Sequence, residues 1–245
     1  MNVAFLGATK GMGRALARQM AARGDRVFLL GRDLADLERS VADLAVRAGT
    51  EPVGAAVCDL ERPETFAPAL EAATAALGRV DCVVVTGGMF GTQDALEADL
   101  ELARRVLTVN YAHTVVFCEH ARRLLLENGG GTLCVFSSVA GDRGRKPVAL
   151  YGSSKAGLSH YLESLDHKYR SEGLVTVCVK PGFVKTGMTD GLKPPPFAGD
   201  PEGVATAVLR AIDRKKPVVY APFMWGVIMT VIRNLPRFVM RKVGF

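Results

Sequence analysis

Tyr151 and Lys155 stand four residues apart in a stretch of helical character, and Ser138 lies thirteen residues before the tyrosine. Residues at i and i+4 share one helix face. An ammonium beside a phenol favours the phenolate. Lys155 is therefore expected to lower the pKa of Tyr151 from its ordinary value of about 10, so that the phenol exchanges a proton nearer neutrality. Ser138 closes the apolar run Leu133-Cys134-Val135-Phe136-Ser137-Ser138, where its hydroxyl can hold a carbonyl or alcohol oxygen against the phenol. Ser137 is the alternative serine. Alone, a Y-x-x-x-K pair is equally a solvated helix face, so its meaning depends on the elements around it.

Those elements alternate. Apolar, β-rich runs fall at Asn2–Gly7, Arg26–Gly31, Pro52–Val57, Val80–Thr86, Gly131–Ser138, Leu174–Pro181 and Pro217–Ala221. Helical patterns lie between them at Met12–Arg23, Leu34–Arg47, Glu64–Leu77, Leu96–Leu107 running on towards Glu127, Tyr151–Ser171 and Pro201–Arg214. This alternation predicts an α/β fold, a Rossmann-type doubly wound parallel sheet of about seven strands with helices on both faces. Continuous apolar runs such as Val83-Val84-Val85 suit strands buried on both sides. Ligands bind such sheets beyond the carboxyl ends of the strands. Gly7, Arg32, Asp59, Gly87, Ser138 and Pro181 all fall at or just past those ends. Residues 1–221 are expected to form the catalytic domain and 222–245 a hydrophobic and basic helical tail.

The first strand runs into Gly7-Ala8-Thr9-Lys10-Gly11-Met12-Gly13 and then a helix. Glycines there allow a tight turn and close approach of backbone to a phosphate, and the new helix offers free N–H groups. An acidic residue ending the second strand would bind the adenosine ribose and repel a 2′-phosphate. Here that strand ends Leu29-Leu30-Gly31-Arg32, and Arg32 and Lys10 both suit a phosphate dianion. The expected cofactor is NADP(H) rather than NAD(H). Asp33 is placed to cap the next helix. Asp59 can accept from the adenine amino group or serve as a cap.

Composition limits the alternatives. The 245 residues suffice for one large domain with a core, and 49% of them are hydrophobic. Five scattered cysteines (58, 82, 118, 134 and 178) form no C-x-x-C and no zinc spacing, so they read as small core residues in a reducing compartment, with no metal site. The N-terminus leads straight into a strand pattern, and no signal peptide is expected. Net charge is +6, but seven basic residues and no acidic one fall from Arg214 onward, leaving the rest at about −1. A nucleic-acid binder would spread its charge over the body; a basic tail points to a local anionic partner such as a membrane surface.

Taken in order, Gly7-x-x-x-Gly11-x-Gly13, Asp59-Leu60, Asn110, Ser138, Tyr151-x-x-x-Lys155 and Pro181-Gly182 with Thr186 resemble the short-chain dehydrogenase/reductase family up to about Ala221. The resemblance implies an enzyme with Ser138, Tyr151, Lys155 and Asn110 as the catalytic set. The thirteen-residue spacing to Tyr151 favours Ser138 over Ser137. Lys155 would also hold the nicotinamide ribose, and Asn110 would anchor a water beside it. The cofactor would lie along Gly7, Thr9, Lys10, Gly11, Met12, Gly13, Arg32, Asp59, Leu60, Gly87, Tyr151, Lys155, Pro181, Gly182, Val184 and Thr186. Pro181 and Gly182 would turn the chain around the nicotinamide, and Thr186 would bond its carboxamide. Lys10 and Arg32 resemble the paired basic residues of NADPH-preferring members. Leu6 stands where the family has threonine, which should loosen a turn hydrogen bond. Thr86-Gly87-Gly88 replaces Asn-Asn-Ala-Gly, which removes side chains that brace the central strand. The later half, with Ser137 to Arg143, Tyr151 to Leu158, Pro181 to Thr186 and the ending around Ala221-Pro222 and Leu235-Pro236-Arg237, is similar to reductases of decaprenylphosphoryl-keto-pentose type.

Three segments bear on the substrate. Asp142-Arg143-Gly144-Arg145-Lys146-Pro147 lies between serine and tyrosine, and its three cations are either a phosphate seat or a solvated loop. Met188 to Gly199 sits where the family has a mobile lid. Phe223 to Ile232 carries no charge and is too short to span a bilayer, which takes about 20 apolar residues. Arg233, Arg237 and Arg241 follow at four-residue intervals and are expected to form one helical stripe, with Pro236 able to start a second segment. Such a tail either lies in a membrane interface or packs on the domain or a sister subunit. The reading is an NADPH-dependent carbonyl reductase, an alcohol dehydrogenase in reverse, acting on a lipid or lipid-linked ketone. The alternatives are a soluble-ketone or 3-oxoacyl-thioester reductase and a non-catalytic nucleotide-binding regulator. The expected setting is cytoplasmic, peripheral on the inner face of a membrane, without nucleic acid. A homodimer or homotetramer through Ala112–Glu127 and Tyr151–Ser171 is implied by the resemblance.

Overall fold

In the computed structural model, which describes residues 1–244, seven parallel strands form one sheet. They are β1 (Asn2–Leu6), β2 (Arg26–Gly31), β3 (Ala55–Val57), β4 (Cys82–Val85), β5 (Gly131–Phe136), β6 (Leu174–Pro181) and β7 (Val218–Ala221). The helices are α1 (Gly11–Ala22), α2 (Leu34–Ala48), α3 (Phe66–Leu77), α4 (Gln93–Ala98), α5 (Leu100–Leu107), α6 (Thr114–Glu127), α7 (Ala149–Tyr169), α8 (Pro201–Asp213), α9 (Met224–Asn234) and α10 (Arg237–Met240). Strand order is β3-β2-β1-β4-β5-β6-β7, so the winding reverses between β1 and β4. A ligand crevice opens at such a reversal, outside the carboxyl ends of the strands.

The two-residue period of each strand divides the core. Val3 and Phe5 join Leu16 and Met20 of α1, Leu37 of α2 and Val208 of α8 on one face. Ala4 and Leu6 join Phe66 of α3, Phe117 of α6 and Leu158 of α7 on the other. Phe66 and Phe117 meet edge to face, with ring centroids 5.5 Å apart. Register then fixes the functional edge. Leu6 pairs with both Leu30 and Val85, Val85 with Val135, and Phe136 with Val179. Backbone bonds continue past the strand ends from Gly7 N to Leu30 O, Thr86 N to Leu6 O, Ser137 N to Val179 O and Gly182 N to Ala221 O. The residues that follow β1, β4, β5 and β6 therefore share one rim.

Several elements differ from the sequence expectation. β3 begins at Ala55 rather than Pro52, because Gly54 takes a φ of +125 that interrupts the extended chain. The helix expected from Leu96 to Glu127 is divided. Asp99 ends α4 in an extended conformation and caps α5, its carboxylate accepting from Leu102 N at 3.0 Å. Thr108–His113 then forms a π-helical turn before α6. The tail is divided too. Leu235 precedes Pro236 and is extended (φ −66, ψ 134), as a residue before proline prefers. Arg233 belongs to α9, Arg237 to α10, and Arg241 follows α10, so they form no single helical stripe. All five cysteines are buried and free, and burial pushes the thiols of Cys58 and Cys82 up to about 12. Among the described residues no helix is long and apolar enough to cross a membrane.

Candidate active site and cofactor crevice

Ser138 stands just past β5, in extended conformation, and begins the 3-10 turn Val139–Gly141 by accepting from Ala140 N at 3.1 Å. It is half-buried. Ser137 is buried and committed elsewhere: its hydroxyl donates to Lys155 O at 2.9 Å and lies 2.7 Å from Ser159 Oγ. Of the two serines Ser138 is the one left to face the crevice, where its hydroxyl bonds the Tyr151 phenol. Tyr151 and Lys155 project from the first turns of α7. The Tyr151 ring meets Phe90 edge to face at 5.2 Å, and Lys155 Nζ lies 5.8 Å from its centre.

The electrostatics correct one expectation. Lys155 does not acidify the phenol here. Burial dominates and pushes Tyr151 up to about 12, with Ser138 opposing. Burial also pulls Lys155 down to about 8. Lys155 is 5% exposed, and its ammonium donates to Phe136 O at 3.1 Å and pairs with no carboxylate among the described residues. The pair therefore consists of a phenol that keeps its proton at neutral pH and a lysine poised near it.

Asn110 lies on the π-helical turn and is wholly buried. Its amide holds both polar groups of the Met89 backbone, accepting from Met89 N at 2.7 Å and donating to Met89 O at 2.8 Å. A Cβ on Gly88 would stand 3.0 Å from Asn110 Oδ1 and 3.7 Å from Lys155 Nζ. The segment after β4 thus passes close to the ammonium and is braced by Asn110.

The glycine turn has the cradle that a dinucleotide phosphate requires. Gly7 has φ +96, and a Cβ there would lie 2.7 Å from Gly87 N. A Cβ on Gly13 would lie 2.2 Å from Gly7 O. Aspartates cap α2, α5 and α8 through side-chain bonds, but Lys10 makes no such bond and α1 has no acid in its first turn. Its leading N–H groups remain available to an anion. Gly11 faces the Thr186 methyl across the crevice, where an added Cβ would stand 3.5 Å away. The Leu6 and Thr86 departures compensate each other: Thr86 Oγ1 donates to Gly7 O at 2.8 Å and bonds the loop from β4.

Beside the glycine turn, Ala8, Thr9, Lys10, Arg14, Arg39 and Ser40 line a cavity of about 260 Å³ between α1 and α2. Lys10 lies 3.6 Å from Asp36, which Arg39 also contacts, and Arg18 pairs with Asp43 at 2.8 Å. Arg32 does not line this cavity, and its charge acts on Glu61. Arg14 and Arg39 escaped the sequence reading because both lie on helix faces that resemble ordinary solvated charge. Asp33 caps α2 by accepting from Asp36 N at 3.0 Å. Asp59 accepts from Glu61 N at 3.0 Å and pairs with Arg62 at 3.6 Å, a local turn role.

The basic loop after Ser138 anchors the tail. Arg143 donates to Leu235 O at 2.9 Å and Lys146 to Arg241 O at 2.7 Å, satisfying carbonyls beyond α9 and α10. Asp142 accepts from Lys180 at 2.6 Å and from Tyr220 at 2.7 Å. Arg145 differs: its Nε is buried without a hydrogen-bond partner among the described residues. On the inner side of α9, Met229 and Ile232 pack on Val139. On the outer side Phe223, Val227 and Val231 are exposed.

Residues 2–195 match the sequence profile described as short chain dehydrogenase. An uncharacterised oxidoreductase of Mycobacterium tuberculosis is 33% identical over 241 residues, covering 98% of this chain and 96% of the relative. Carbonyl reductase family member 4 of Xenopus tropicalis is 28% identical over 236 residues, covering 93% and 94%. The structure of a short-chain dehydrogenase from Sphingobium yanoikuyae in complex with NADPH superposes with a TM-score of 0.82 at 21% identity, covering 99% and 96%. With its seven-stranded parallel sheet and its matched profile, this oxidoreductase belongs to the short-chain dehydrogenase/reductase family.

Proposed function

We propose that the chain is an NADPH-dependent carbonyl reductase whose substrate is a lipid or lipid-linked ketone. The convergence of Ser138, Tyr151 and Lys155 beside the glycine cradle carries the reading. The Gly7, Gly11 and Gly13 cradle would hold NADPH, which when bound would supply the hydride for the carbonyl carbon. Tyr151, protonated at neutral pH, donates its proton to the carbonyl oxygen as general acid. Ser138 donates a hydrogen bond to the same oxygen and positions it. Lys155, charged below about pH 8, stabilises the negative charge that develops there and holds the nicotinamide ribose. Asn110 positions the backbone beside Lys155 through Met89. Thr9, Met12, Gly87, Leu60, Pro181, Val184 and Thr186 complete the cofactor walls. The carbonyl reductase relative and the NADPH-bound neighbour support this assignment.

Two observations favour a lipid-linked substrate. Arg145, between Ser138 and Tyr151 in the chain, has a buried Nε with no hydrogen-bond partner among the described residues and suits an acidic group such as the phosphate of a polyprenyl-phosphate-linked keto-sugar. The exposed apolar residues of α9, with Arg233, Arg237 and Arg241 close by, suit an anionic bilayer surface on the cytoplasmic side. Exposed Tyr111 and Val116, near the outer faces of α6 and α7, favour a homo-oligomer through those helices. The soluble-ketone alternative keeps the chemistry and makes the tail a subunit contact. Cofactor oxidation with neutral, acidic and lipid-linked ketones, with and without anionic vesicles, tests the assignment. Reduction of lipid-linked ketones with NADPH preferred over NADH is expected. No turnover with any ketone contradicts the enzyme reading, and no gain for lipid-linked ketones contradicts the substrate class.

A further inference from the structure

Gly182 follows the last residue of β6, and its backbone is not left-handed. Something other than backbone conformation therefore requires glycine there. A Cβ at this position would stand 2.2 Å from both Cδ1 and Nε1 of Trp225. The indole, carried by the first turn of α9, thus lies directly against the Pro181-Gly182 turn.

The same indole reaches a third element. Its Nε1 donates to Phe197 O at 3.2 Å. Phe197 stands near the far end of the segment 185–198 and has φ 65, a left-handed conformation that a bulky residue rarely adopts unless its surroundings hold it. The root of that segment is closed by Lys185 N to Gly199 O at 3.0 Å and Gly199 N to Phe183 O at 2.8 Å. A Cβ on Gly199 would meet Pro222 at 2.8 Å, so the root also leans on the residues leading into α9. Met229 and Ile232 hold the same helix against Val139, next to Ser138.

We propose that Trp225 is a positioning residue that makes the C-terminal helix part of the substrate site. Its indole forms a wall beside the Pro181-Gly182 turn, and its N–H latches the segment 185–198 in a closed arrangement. Substrate access then requires the latch to open, so the residue governs ketone binding and the bulk that the site accepts. The kinetic arm of this inference rests on the reductase reading; the latch itself does not.

The test uses the full chain and the variants Trp225→Phe and Trp225→Ala. Phenylalanine keeps aromatic packing on Gly182 and removes the donor. Backbone amide hydrogen exchange is measured across residues 185–199, with thermal unfolding to show that each variant is folded. Trp225→Phe is expected to speed exchange in 185–199 several-fold with little change elsewhere, and to raise KM for the ketone more than it lowers kcat. Trp225→Ala is expected to do the same and to gain relative kcat/KM for bulkier ketones. Unchanged exchange in a folded Trp225→Phe protein overturns the latch. If the wild type reduces no ketone, the reductase reading fails while the exchange result still decides the latch.

Discussion

The hydroxyl of Ser137 donates to the carbonyl oxygen of Lys155 at 2.9 Å and fastens the end of β5 to the helical turn that presents the lysine. Its neighbour Ser138 makes no such tie and turns towards the Tyr151 phenol. Two adjacent serines therefore separate a supporting role from a chemical one. Ser137→Ala should destabilise the fold by about 1–3 kcal/mol, because it removes the buried hydroxyl's bonds to both Lys155 O and Ser159 Oγ. Ser138→Ala should cost about 1 kcal/mol or less through loss of its bond from Ala140 N, and should lower kcat by about 10²-fold, the scale of losing one donor to a developing oxyanion. Denaturant unfolding and steady-state reduction rates distinguish the two.

The pH dependence follows from half-buried Tyr151 and buried Lys155. Tyr151, held at about 12, stays protonated through the neutral range and can act as an acid throughout it. Lys155, held at about 8, loses its charge as pH rises past that value. The kcat/KM for ketone reduction should be flat at neutral pH and fall above about pH 8, while alcohol oxidation gains from a rise in pH that helps the phenol deprotonate. A pH–rate profile in both directions checks this, and a reduction rate that climbs through pH 9 would contradict it.

Cofactor choice should reside between α1 and α2. Arg14 lines the cavity beside Lys10 and Arg39 and makes no ion pair among the described residues, so it remains available to a 2′-phosphate. Arg14→Gln should weaken NADPH by about tenfold, the effect of roughly 1.4 kcal/mol, and leave NADH binding within twofold. Fluorescence titration with both nucleotides measures the difference. Equal losses for the two would show that the cavity does not read the phosphate.

The sheet was legible because each strand is an unbroken apolar run between helical stretches, and β2 and β6 fall at the expected bounds. Their carboxyl ends in turn placed Gly7, Ser138 and Pro181 on one rim. What escaped depended on contacts between distant residues. Thr86 compensates for Leu6 across eighty positions of chain. Asn110 braces Met89 from a π-helical turn that no local pattern announces. Arg143 and Lys146 look like free cations in sequence, yet tail carbonyls nearly a hundred residues away take both. The lysine–tyrosine pair was found by spacing, but burial, not the ammonium, sets the phenol pKa. The sign of that shift depends on how deeply the fold places the ring.

The most direct measurement is reduction of a ketone by the Tyr151→Phe protein alongside its affinity for NADPH. If the phenol of Tyr151 delivers the proton, kcat falls by about 10²–10⁴-fold while the NADPH dissociation constant stays within twofold of wild type. A variant that binds NADPH normally and keeps more than about a tenth of the turnover contradicts the assignment, because that loss is smaller than removal of a general acid produces.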